Sequence, residues 1–214
     1  MHSQVRAFYE LFVTALYGFV MVIGFQNFLL IRNTHTLGLI TYSLLAAAYI
    51  TTLHFWIVYF AATGDTFILI SGRDRPHSHQ MLWFWVELIF ATALAIPMLD
   101  MFSSINDVAK FSHSMALIAA ISLLWDFWAF SVDYVTGHDK GGARAWKYSP
   151  SLWSWIGLDI LFLILIIIVC TVLRYNHQAV VQFLGALFLL AIAIIGAVLD
   201  TVLINPLVYL RKRT

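Results

Sequence analysis

Five ionisable residues, His54, Glu87, Asp126, Asp159 and Asp200, each interrupt a different long apolar run of the chain. Carboxyl groups and an imidazole at such depth are the side chains of proton relays, of hard-cation sites and of the acidic vestibules of cation pathways. None of the apolar runs contains a Lys or Arg to pair with them. Held charged in hydrocarbon, each would cost several kcal/mol unless it met water, a cation or another of the five. The spacing argues against a preformed metal helix, because no ExxH or HxxxH pair puts two ligands on one helical face.

The elements that position these residues follow from length. The apolar runs fall at about 11–31, 37–61, 81–102, 113–134, 152–173 and 180–209. Each is long enough to cross a bilayer core of about 30 Å at about 1.5 Å per residue. With 62% hydrophobic, 16% aromatic and only 11% charged residues, the composition is that of an integral membrane protein rather than a soluble domain, where about a quarter is charged. The expected fold class is therefore all-α, a single polytopic bundle of six transmembrane helices in the lipid bilayer. The first run is too long for a signal h-region and lacks a small-x-small cleavage site, so it is expected to be retained.

Basic residues set the orientation. Outside the spans, nine Lys and Arg lie on the side of both termini and three, Arg32, Lys110 and Arg174, on the other. By the positive-inside rule both termini are expected in the cytoplasm of a cell-membrane protein. Counted inward from that side, the five ionisable residues share one layer roughly 6 to 14 Å deep. All eight tryptophans lie in or near the same half. Three readings of the layer stay open: structural hydrogen bonding, a hydrated vestibule that concentrates cations, or a metal or proton site.

Other chemistry has less support. His77 and His79 form a loop pair that could take a transition metal, but two loop histidines are more often solvated. Cys170 is the only cysteine, which excludes an intramolecular disulfide and a CxxC motif. There is no nucleophilic serine elbow, phosphate loop or triad spacing, no buried lysine for a retinal Schiff base, and only one intraspan histidine for haem. No basic tract interleaved with aromatics calls for nucleic acid, and no cofactor is expected.

The first run, LFVTALYGFVMVIGFQNFLLI, alone carries no ionisable residue. Val13, Tyr17, Val20, Gly24 and Asn27 recur at three- and four-residue spacing, on one face of a helix. That stripe suits either a pore wall or close helix packing. The layout resembles the prokaryotic six-helix relatives of the lysosomal potassium leak channel. Gly18 stands where that family's Phe-Ser-Asp-Gly signature has its glycine, with Tyr17 at the aspartate position and Arg6 upstream. Tyr42, His54 and Phe60 resemble its aromatic second helix, and Trp83 or Trp85 with Pro97 its third. The resemblance implies a tetramer whose first helix lines a path for monovalent cations. The expectation is thus a homo-oligomeric cation channel, potassium-permeable by resemblance. The alternative is a metal- or proton-coupled transporter, or a membrane metalloenzyme, using the His/Asp/Glu layer; a third class is a non-transporting scaffold.

Overall fold

The computed structural model describes residues 2–34, 38–70, 77–138 and 149–199, with side chains over 7–32, 38–57, 84–128, 131 and 156–199. It is all-helical: α1 (His2–Thr34), α2 (Leu39–Ile70), α3 (His77–Ser103), α4 (Val108–His138), α5 (Ser149–Tyr175) and α6 (Ala179–Val198). Each contains a stretch long and apolar enough to cross a membrane, with mean hydropathy from 1.3 to 3.1. Helix is the form that satisfies every backbone N–H and C=O inside one segment when no water is at hand. The chain is a multi-pass membrane protein of six spans.

Several helices outrun the spans read from composition. The second span does not stop at 61 with FILI left in a loop, because α2 continues to Ile70. Gly64 alone costs a helix only about 1 kcal/mol, and the strip after it holds no proline. Helix α3 likewise opens at His77, so His77 and His79 lie in its first turn rather than in a loop. Pro97 sits inside α3, which continues beyond it to Ser103. The stretch of the sixth span beyond 199, with Asp200, lies outside the described residues.

Neighbour relations close the helices into a ring in the order α1, α2, α6, α5, α4, α3 and back to α1. Helix α4 is the most enclosed, half of its most apolar 18-residue window being buried, against 17% for the Ile- and Leu-rich α5. Most of the apolar surface of α5 is therefore left on the outside of the bundle, where its Ile and Leu side chains suit an apolar surrounding.

One end of the bundle is tied by polar contacts. The short turn from α3 to α4 is closed by the Asp107 N–H donating to the Ser104 carbonyl at 2.9 Å. Asp107 then caps α4, its Oδ1 accepting from the Lys110 N–H at 3.1 Å, which satisfies one orphan donor of the first turn. Thr41 at the start of α2 donates to Asn106 Oδ1 at 3.0 Å, and Ser114 of α4 donates to Asp100 Oδ2 of α3. The Cys170 thiol of α5 reaches the buried Ser112 hydroxyl at 3.2 Å.

Helix α1 docks on α2 and α3 through an aromatic seam. Tyr9, Val13, Tyr17 and Val20 are completely buried, and Phe84 of α3 meets the Tyr9 ring edge-on at 6.1 Å. Gly24 lies so close to Phe102 of α3 that a Cβ there would stand 2.5 Å from its ring. That ring is itself held edge-on by Tyr49 of α2, 4.9 Å between centroids. Three helices converge on one glycine, and only hydrogen fits.

Candidate functional site

On the side of the ring away from α1, four helices line a partly open cavity of about 100 Å³. Helix α2 presents Thr51, His54 and Phe55 to it, one face at three- and four-residue steps. Helix α4 contributes Ser122, Trp125 and Asp126 above an apolar floor of Met115, Ile118 and Ala119. Helix α5 adds Leu158, Asp159, Phe162 and Ile166, and α6 closes the wall with Ile192, Ala193, Gly196 and Ala197. Gly196 brings α6 close to α5, since a Cβ there would meet the Phe162 ring at 3.1 Å.

The five-residue layer is therefore divided. His54, Asp126 and Asp159, from three different helices, line one cavity. Asp126 is 3% exposed, while His54 and Asp159 are half-buried. Glu87 stands one helix away on α3, buried, and accepts a hydrogen bond from Trp125 Nε1 at 3.0 Å. It touches the cavity only through that indole, whose ring forms part of the wall. Asp200 lies outside the described residues.

The polar lining is arranged for small guests. A single water needs about 10–15 Å³ of cavity, so several fit among these side chains. Thr51 Oγ1 is buried and has no hydrogen-bond partner among the described residues, although a helical threonine ordinarily bonds back to its own preceding turn. The ionisable groups are spread around the wall. Among the described residues, no three His, Cys, Asp or Glu side chains come together as a metal ion requires. Among the described residues the donor set falls short of the four to eight convergent ligands that a resident divalent metal takes.

The stripe on α1 occupies a different place. Val13, Tyr17 and Val20 are fully buried in the protomer and Gly24 is seated on Phe102. Asn27 is half-buried. The pattern expected to face a lumen is the face that packs α1 on α2 and α3, because a three-four periodicity marks any helix face with a constant neighbour. The outer face of α1 instead carries Thr14, Val22 and Gln26, exposed, with Gly18 between them.

Sequence reasoning missed Thr51 and Ser122 as members of the site. Their signal was present: Thr51 precedes His54 by three residues and Ser122 precedes Asp126 by four, which places each hydroxyl on its ionisable neighbour's face. The pairing of Glu87 with Trp125 had no signal short of knowing that α3 and α4 are neighbours. Comparison with protein-family models, with curated proteins and with solved structures gives no match for this chain, so the geometry alone carries the functional reading.

Proposed function

We propose that the chain is a proton- or cation-coupled membrane transport protein whose working site is the cavity lined by His54, Asp126 and Asp159. The observation that carries this reading is the gathering of three ionisable side chains from α2, α4 and α5 around one space inside the membrane-spanning bundle. Ionisable residues in such a position are costly and face an internal pathway when they are kept. A carboxylate that exchanges a proton for a cation keeps its charge compensated in both states, so neither step leaves a bare anion in hydrocarbon. On the basic-residue count both termini face the cytoplasm of the cell membrane, and His54, Asp126 and Asp159 lie nearer that side.

The test is flux from proteoliposomes with protons and monovalent cations varied one at a time, for the wild type and for Asp126→Asn and Asp159→Asn. Expected is transport by the wild type and its loss in both variants, with assembly unchanged by size-exclusion chromatography. Undiminished transport in correctly assembled variants would remove the cavity from the mechanism.

A second reading, the homo-oligomeric potassium channel, is favoured by one observation: Thr14, Gly18, Val22 and Gln26 form a four-residue-spaced ridge on the outside of α1. Polar groups on a face otherwise turned to lipid suit a path between copies. Gly18→Leu separates the readings, because it would block an intersubunit path and leave the cavity untouched.

A further inference from the structure

The cavity has a composition more particular than "cation site" requires, and we infer that it takes a small organic ammonium, an alkylamine in its protonated form. This deepens the transport reading above and rests on it. Inorganic alkali cations exchange their water shell for a cage of oxygens. Here the oxygen-bearing side chains, Thr51, Ser122, Asp126 and Asp159, are distributed with the His54 imidazole around a wall that is otherwise hydrocarbon and aromatic, and no metal-holding group is present among the described residues.

An alkylammonium uses both kinds of surface. Its N–H groups donate to the carboxylates of Asp126 and Asp159. They also donate to Thr51 Oγ1, a hydroxyl in a residue only 7% exposed and without a partner among the described residues. A buried polar oxygen left unmatched by its own fold costs free energy that an incoming donor restores. Phe55, Trp125 and Phe162 line the same space, and a cation's attraction to the face of an aromatic ring grows when it is desolvated. The alkyl part lies against Met115, Ile118 and Ile192.

The cavity is partly open, so its volume sets the scale of the guest's buried part. A cavity of about 150 Å³ accommodates benzene; the space here, about 100 Å³, suits a ligand a few heavy atoms smaller, such as ethylammonium. Glu87 joins as a positioning residue: by accepting from Trp125 Nε1, it fixes the indole that forms one wall.

The experiment is equilibrium binding of radiolabelled ethylammonium to the purified full chain, with tetramethylammonium, potassium and sodium as competitors. Saturable binding is expected. Asp159→Asn should weaken it about tenfold or more, as loss of a charge-assisted hydrogen bond implies, and Thr51→Val about three- to tenfold. Glu87→Gln should retain binding, since its amide oxygen still accepts from Trp125, whereas Glu87→Ala should weaken binding and alter the tryptophan emission. Tetramethylammonium, without N–H donors, should compete poorly, and potassium and sodium not at all. Thr51→Val, nearly isosteric, decides the matter if Asp159→Asn fails to assemble. Equal competition by potassium or sodium, with flux of that ion dependent on Asp159, would overturn the ammonium assignment and leave the transport reading standing. Absence of ethylammonium binding, together with absence of flux of any cation or proton dependent on Asp126 or Asp159, would overturn both.

Discussion

The two ends of this bundle use the same side-chain chemistry in opposite ways. At the end where α3 turns into α4, Asp100, Asn106, Asp107, Ser112 and Ser114 are spent on one another, on Thr41 and on backbone groups. Toward the other end, Thr51, Ser122, Asp126 and Asp159 line a cavity, and the Thr51 hydroxyl has no partner among the described residues. A polar group that bonds across helices raises stability modestly, with cross-helix bonds in membranes averaging about 0.6 kcal/mol. A buried hydroxyl left without a partner, as at Thr51, adds nothing to stability and can accept a bond from a guest. The contrast separates structure from function by position, and each prediction below is a way to break it or sharpen it.

The largest effect belongs to the glycine that joins the first three helices. Gly24→Leu must displace the fully buried Phe102 ring, which Tyr49 in turn holds. Overpacking of this kind costs about 1–3 kcal/mol or more. Loss of thermal stability in detergent and failure of α1 to dock are expected. The double variant with Phe102→Ala should regain part of the stability, because the two changes compensate in volume and neighbouring sites couple. If Gly24→Leu instead assembles normally and only blocks flux, α1 is a pore wall after all.

Next is the comparison between acids at the two ends. Asp126→Asn removes the charge of a nearly completely buried carboxyl without a change of shape and keeps an oxygen that accepts hydrogen bonds, so assembly should be retained. Transport should disappear. Asp100→Asn should do the reverse, with flux retained while the weakened bond from Ser114 lowers stability by about 0.5–1.5 kcal/mol. Thermal melts and flux measured on the same preparations check both. A stability loss at Asp126 with flux preserved would reduce the cavity to packing.

Between these regions lies the indole of Trp125. Trp125→Phe deletes the donor to Glu87 and leaves that buried carboxyl without it, a cost of about 1–3 kcal/mol. Adding Glu87→Leu to this variant should recover most of the stability. A chemical melt of the single and double variants reads the coupling directly.

Much of this architecture is legible in the chain, and the illegible part has a common cause. Six spans follow from apolar length, and the depth of His54, Glu87, Asp126 and Asp159 follows from helical rise. What periodicity cannot supply is azimuth. That His54 and Asp159 share a cavity while Glu87 stands behind Trp125 depends on α2 lying beside α6 and on α4 standing between α3 and α5 in the ring, relations between segments far apart in sequence. The α1 stripe shows the same limit: the spacing of Val13, Tyr17 and Val20 says that one face has a constant neighbour without saying whether that neighbour is a lumen or the packed helices that bury it here. The helical extension of α2 to Ile70 was hidden by Gly64 and Asp65, which read as a turn when bilayer thickness is taken to limit the helix.

The smallest expected effects test whether the polar end is stabilised by its hydrogen bonds or by charge. Asp107 does two things at once: it caps α4 through Oδ1, and its Oδ2 lies 3.9 Å from Lys110 Nζ. Asp107→Asn keeps a side-chain oxygen able to accept at the helix start and removes the ion pair. Asp107→Ala removes both. An exposed pair three residues apart contributes at most about 0.5 kcal/mol and is screened by salt, whereas a lost N-cap costs about 1 kcal/mol. The Ala variant should therefore melt lower, the Asn variant close to wild type, and Lys110→Met indistinguishable from wild type at any ionic strength. A salt-sensitive loss in Lys110→Met equal to that of Asp107→Ala would assign this end to charge pairing, and the contrast between the two ends would then rest on something other than hydrogen bonds.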